Sequence, residues 1–128
     1  NNFGNYEAPA TGISIGLDRL VYALMQKKEF KIKQPKPVVI CVFDKDFMKE
    51  YISLLILLRN AGISAEIYPS KSKLKKQMEY ANKIKSPVVI LYGEDEIKSS
   101  KPTLRNLSTG KEKSIEIKEL VNEIKKII

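Results

Sequence analysis

Two solid apolar runs constrain the fold of this chain more than any other feature. Val38 to Phe43 (VVICVF) and Pro87 to Tyr92 (PVVILY) lack the polar alternation of a half-exposed strand, so each is expected as a strand buried on both faces. Between them, Phe47 to Ala61 has helical apolar spacing, with Asp46 as the expected cap and Gly62 as the expected stop. Ser64 to Tyr68 then alternates as a half-buried strand, and a second helix is expected from Ser70 or Ser72 to about Lys85. Strand, helix, strand, helix, strand implies right-handed crossovers and a parallel sheet, with the first strand in the middle.

The end of the chain changes character. Thr103 to Leu107 reads as a strand, Ser108-Thr109-Gly110 as a turn, and Lys113 to Ile115 as a short further strand. Ile117, Leu120, Val121, Ile124 and Ile128 recur at helical spacing. The expected fold class is therefore α/β: a three-layer domain over residues 38–128, with a mixed, mainly parallel five-stranded sheet flanked by helices.

Upstream, residues 27–37 (KKEFKIKQPKP) hold five lysines and two prolines and read as an extended linker, the alternative being a solvated loop inside one domain. In residues 1–26, Thr11 to Leu17 (TGISIGL) reads as a strand running directly into a helix from Asp18. A strand and a helix cannot bury themselves alone, so they are expected to be remnants of a larger domain. The start, Asn1-Asn2-Phe3-Gly4, likewise reads as a cut within a longer protein.

Composition narrows the chemistry. The 128 residues include 23 Lys+Arg against 15 Asp+Glu, a net charge of +8, no histidine and one cysteine. An internal disulfide, a histidine acid–base scheme and a zinc site of His or several Cys are excluded, and no metal site is expected. With no apolar run near the ~20 residues that span a bilayer, a cytoplasmic location is the expectation.

Three groups of residues stand out. Gly12 and Gly16 clear one strand face for a flat ligand, and Arg19 follows in the first helical turn, where its planar fork suits phosphate oxygens; a strand with two glycines and a surface arginine is also an ordinary structural feature. The second helix carries six lysines and one glutamate between Ser70 and Lys85. Its wheel buries Leu74, Met78, Ala81 and Ile84 and turns Lys75, Lys76 and Lys83 outward, either as a phosphate-neutralising surface or as a plain solvated face. Glu96, expected in the loop after the third strand, and Arg105, on the next strand, carry the chemistry to read a base edge, although Glu94-Asp95-Glu96 also suits a solvated acidic turn. Cys41 is expected as a small buried hydrophobe and Asp44 as a cap or turn residue. Tyr68 and Tyr92 suit either base stacking or packing against a helix.

Gly12-Ile-Ser-Ile-Gly16-Leu-Asp-Arg19-Leu20 resembles the third signature motif of class II aminoacyl-tRNA synthetases. There the glycine strand supports the adenine of ATP and the arginine contacts its γ-phosphate. Leu58-Arg-Asn-Ala-Gly62-Ile63, Lys73-Leu-Lys-Lys-Gln-Met78 with Tyr80-Ala-Asn82, Gly93-Glu-Asp-Glu96 and Leu107-Ser-Thr-Gly110 resemble, in order and spacing, the C-terminal anticodon-binding domain of the histidyl-tRNA synthetase family. The resemblance covers nearly the whole chain.

It implies Gly12, Gly16 and Arg19 as ATP-binding residues of a parent ligase, with Arg19 its one catalytic residue here. It implies tRNA binding by Glu96, Arg105, Lys75, Lys76 and Lys83. The parent would be a homodimer using ATP with Mg2+, histidine and histidine tRNA. The family's other catalytic elements lie upstream, so this piece is expected to be inactive alone. Two competing readings are a synthetase-like accessory domain that binds protein instead of tRNA, and a flavodoxin-like nucleotide-binding domain. The latter lacks a glycine-rich cradle at Phe43-Asp44-Lys45-Asp46.

Overall fold

The computed structural model describes residues 11–27 and 36–128. Residues 1–10 of the expected remnant and 28–35 of the expected linker lie outside them. The chain divides into two units, with the boundary between residues 34 and 35.

The first unit contributes one helix, α1 (Leu17–Met25), opened by the extended backbone of Gly16 and the bond from Leu20 N–H to Gly16 C=O at 3.0 Å. The strand expected over Thr11 to Leu17 is not formed. Residues 11–16 have no regular structure, because a lone extended segment has no ladder to join. α1 buries no residue; Leu17 and Tyr22 are each 68% exposed.

In the second unit the sheet order is β2-β1-β3-β4-β5, formed by β1 (Val38–Ile40), β2 (Ala65–Ile67), β3 (Val88–Leu91), β4 (Thr103–Asn106) and β5 (Glu112–Ser114). The sheet is mixed, as expected, but evenly so: β1 pairs parallel with β2 and β3, whereas β3–β4 and β4–β5 are antiparallel. β1 is central only to the parallel trio, and β3 takes the middle of the five. The reason lies between β3 and β4, where a helix of 6 residues, α4 (Glu94–Ser99), is too short for a parallel crossover.

Helix α2 (Met48–Asn60) and helix α5 (Ile117–Lys125) cover one face of the sheet. Tyr51, Leu54, Leu58, Leu120 and Ile124 pack there on Val38, Ile40, Val88, Ile90 and Leu104. Helix α3 (Leu74–Lys83) covers the other face through Ala81, with Met78 and Ile84 against Val39, Cys41 and Val89. Three layers result, as expected. Ile128, assigned to the last apolar face, lies beyond α5 and is 59% exposed.

Local chemistry explains where the elements begin and end. Asp44, not Asp46, is the cap: its Oδ1 accepts from Asp46 N–H at 3.3 Å and opens a 3₁₀ turn (Lys45–Phe47) leading into α2. Gly62 ends that segment at φ +77°, as expected. The first apolar run leaves the ladder earlier than its composition suggests. Val42 is held instead by the fully buried Gln77, whose Oε1 accepts from Val42 N–H at 2.8 Å while its Nε2 donates to Val42 C=O at 2.7 Å. Gln77 therefore resets the face of α3. The buried positions are Gln77 and Ala81, whereas Leu74, expected inside, is 37% exposed.

Candidate nucleic-acid interface

Register identifies the exposed part of the sheet. Along β4, Leu104 points into the core under α5, so Thr103 and Arg105 lie on the face that α3 covers. Their neighbours on β3 are Leu91 and Val89, and on β5 Ser114 and Glu112. The core beneath α3 draws buried residues from β1 and β3 and none from β4 or β5. β4 is thus covered on one face only, and all three residues of β5 are exposed. Arg105 stands half-buried on the open face of β4, its Nη1 donating to Glu112 Oε1 at 2.9 Å. One contact leaves most of the guanidinium's donors free. Glu112 is part of this face and was not foreseen. Its signal was its place opposite Arg105 across the Ser108-Thr109-Gly110 turn, where Asn106 Oδ1 accepts from Ser108 N–H at 2.9 Å and Thr109 N–H at 3.1 Å.

Glu96 lies not in a loop but at the third position of α4. Its Oε2 accepts from Gly93 N–H at 3.0 Å, a reach-back bond that satisfies a donor at the helix start. The spacing Gly93-x-x-Glu96 carried that signal. A side chain at Gly93 would meet Glu96 Oε2 at 3.1 Å and the Phe43 ring at 3.7 Å, so a larger residue there would press on the end of the Glu96 side chain and its bond. Glu96 retains one carboxylate oxygen outside this bond, at the strand end where α/β sheets hold ligands.

The lysines of α3 point outward as expected: Lys75, Lys76 and Lys83 are all exposed. Lys73, Lys75 and Lys76 also line a shallow depression with Ser72 and Glu79 at the start of the helix. No acid occupies that first turn, so three cations add to the positive end of the helix dipole. From Lys75 to Lys83 the basic face runs about 12 Å at 1.5 Å per residue.

The tyrosines do not present free rings. Tyr92 is 5% exposed within the core. Tyr68 is half-buried and packs edge-to-face on Tyr80 at 5.3 Å and 77°. Tyr80 donates to Glu66 Oε1 at 2.6 Å, and that bond, with burial, raises its pKa. Cys41 is fully buried as expected, its thiol pushed up to about 12 by desolvation. Asp44 forms a 2.7 Å ion pair with Lys71, which holds its carboxyl below the ordinary range.

In the first unit Arg19 stands exposed in the first turn of α1, and a side chain at Gly16 would meet its stem at 3.8 Å. Gly12 has open space around it. Arg19 suits a phosphate, but residues 11–27 supply no walls for a nucleotide. Among the described residues no cluster of three or more His, Cys, Asp or Glu could hold a metal ion. These residues alone do not make a site for ATP with Mg2+. Among the described residues, too, no helix is long and apolar enough to cross a membrane.

A three-layer α/β domain with a half-uncovered mixed sheet and a basic helix beside it defines a small class of folds. The chain belongs to the anticodon binding domain family, whose sequence model matches residues 37–127. It is 41% identical to the histidine–tRNA ligase of Pelagibacter ubique, over 100% of this chain and 29% of that protein. It is 36% identical to that of Finegoldia magna, over 98% of this chain and 29% of the relative. The chain thus spans less than a third of the length of the relatives it matches. The crystal structure of histidyl-tRNA synthetase from Nostoc sp. superposes with a TM-score of 0.70 at 28% identity, over 88% of this chain and 28% of that one. The RNA binding domain of threonyl-tRNA synthetase from Cryptosporidium parvum shares the fold, with a TM-score of 0.66 at 16% identity over 74% of this chain and 25% of that one.

Proposed function

We propose that this chain is the anticodon-reading region of a histidine–tRNA ligase. The observation that carries the reading is the uncovered face of β4, with Arg105 across it, on a chain whose relatives are histidine–tRNA ligases. Glu96, at the start of the helix after β3, is the second residue of the reading. Arg105 donates to base or phosphate oxygens, and the free oxygen of Glu96 accepts from a base edge. Lys75, Lys76 and Lys83 neutralise the RNA backbone without reading sequence.

Residues 1–26 then belong to the catalytic domain of the parent, 27–37 form the linker and 38–128 the anticodon-binding domain. In that parent Gly12, Gly16 and Arg19 would serve ATP, with Arg19 on a phosphate. The parent would be a cytoplasmic homodimer that joins histidine to its tRNA using ATP and Mg2+, and this chain alone would be inactive. None of the relatives named above supports the protein-binding alternative.

A fluorescence titration with histidine tRNA, repeated with an anticodon-substituted tRNA at several salt concentrations, tests the proposal. Tighter binding to the intact anticodon with a steep salt slope is the expected result. Equal, weak binding to both tRNAs would remove the anticodon-reading role and leave only charge attraction.

A further inference from the structure

On the face of the sheet opposite Arg105, a cleft of about 330 Å³ opens between the start of α2, the start of α5 and the end of β3. That volume is at the lower end of the ~300–1,000 Å³ usual for small-ligand sites. Leu54, Leu57 and Ile117 give it apolar walls, and Lys49, Glu50, Ser53 and Tyr92 supply its polar atoms. Glu50 Oε2 is buried and has no hydrogen-bond partner. A carboxylate oxygen left unpaired against apolar walls is costly. The helix dipole favours an acid in the first turn of α2, but it would do so equally with the carboxylate in water. Tyr92 records the proximity of that charge: burial, then the charge of Glu50, raises its pKa. Rotation about the last, broad torsion of Glu50 can bring the orphan oxygen to the opening.

The surroundings favour a particular occupant. Lys49 stands in the cleft wall. An acceptor among apolar walls with a cation beside it complements a nucleotide, whose base brings N–H donors and a flat apolar surface and whose phosphate stays outside. A cationic peptide side chain would meet Lys49 with like charge. Two adjacent donors suit a carboxylate best, and the guanine edge offers N1–H beside the 2-amino group. We propose that this cleft is a binding site for an unpaired guanine nucleotide, with Glu50 accepting from the base edge and Lys49 attending the phosphate. Its placement in an RNA strand rests on the tRNA-binding reading above, whereas the pocket itself does not.

The test is a titration of the 128-residue chain with guanosine 5′-monophosphate, followed by amide chemical shifts. Saturable shifts at Leu54, Leu57 and Ile117 are expected, with at least fivefold weaker binding in Glu50→Gln and for inosine 5′-monophosphate, which lacks the 2-amino donor. Uridine 5′-monophosphate should leave these amides unmoved. Leu57→Lys, placing a long side chain across the opening from a partly exposed position, should abolish the shifts without unfolding the chain. Absence of shifts at the cleft, or equal binding by Glu50→Gln, overturns the proposal. A parallel titration with histidine tRNA separates the two readings. Anticodon-dependent tRNA binding without guanosine monophosphate in the cleft sinks the cleft alone. Guanosine monophosphate in the cleft without tRNA binding keeps the cleft and sinks the tRNA reading.

Discussion

The two halves of the sheet are built from the same kind of short strand but stand in different surroundings. β1, β2 and β3 pair in parallel and are packed between α2 on one face and α3 on the other. β4 and β5 pair antiparallel; β4 buries only Leu104, and β5 is exposed throughout. The parallel half therefore holds the fold together, and its side chains have little freedom to do anything else. The antiparallel half contributes less burial and displays Arg105 and Glu112. On the proposed reading, stability and recognition fall to neighbouring strands of one sheet, and substitutions on either side should separate the two.

The largest effect is expected at the seam. Ile90 is fully buried on β3, and Ile90→Ala should cost about 2–5 kcal/mol through lost burial and a residual cavity. At about 4–8 °C per kcal/mol for a domain of this size, thermal unfolding should fall by about 8 °C or more. Gln77→Leu follows, because buried Val42 N–H and C=O lose their partner, as does the half-buried Ser72 C=O. About 1–3 kcal/mol is expected, read from the urea midpoint. A stable Gln77→Leu would mean that the end of β1 does not depend on α3.

Across the seam the signs should reverse. Arg105→Ala removes a half-exposed side chain whose recorded bond is an exposed pair with Glu112, worth little to stability. Its urea midpoint should stay near wild type, while histidine tRNA binding weakens by about 1–3 kcal/mol and discrimination at one anticodon base relaxes. An Arg105→Ala chain that unfolds early but retains tRNA discrimination would place this strand with the core.

The covered half was the more legible in sequence, for a physical reason. VVICVF and PVVILY admit only burial, and an apolar run shows burial without needing to know its partner. Gln77 was left out of the buried set because wheel logic looks for apolar residues, whereas its amide substitutes for a neighbouring strand at Val42. The strand expected over residues 11–17 failed for a related reason: a strand is defined by its neighbour, and local pattern cannot supply one. Arg105 on the open half and Glu96 on the helix after β3 were named from resemblance, but their commitments to Glu112 and Gly93 were not. Those bonds depend on a hairpin register and a six-residue helix, and neither carries a strong periodic signal.

The lysines of α3 sharpen the comparison from outside the sheet. Replacing Lys75, Lys76 or Lys83 singly with Ala should weaken binding to native and anticodon-substituted tRNA by the same factor. Each residue that contacts a phosphate should lower the salt slope by about 1. A lysine whose loss instead changes discrimination would be touching a base, extending the reading surface from the antiparallel half onto α3.

The smallest effect is at the C-terminal edge of the parallel half, where Lys71 and Asp44 join the loops after β2 and β1 at 2.7 Å. Lys71 first, then the N–H of Asp46, holds the Asp44 carboxyl below its ordinary 3.8. A carboxyl depressed in the fold stabilises it above the unfolded value and loses that contribution as pH falls through the lower, folded value. Asp44 in turn raises Lys71 above 10.5, so the cation's share persists below that pH and disappears as pH rises through the raised value. The difference in urea midpoint between wild type and Asp44→Asn should therefore be flat across neutral pH and should narrow below about pH 4. The asparagine keeps an acceptor for Asp46 N–H, so the comparison isolates charge from capping. With both partners about half exposed, 1 M salt should remove most of the difference. A difference that survives both acid and salt would assign the contribution of Asp44 to its cap on the 3₁₀ turn, not to the ion pair, and would make the start of α2 independent of Lys71.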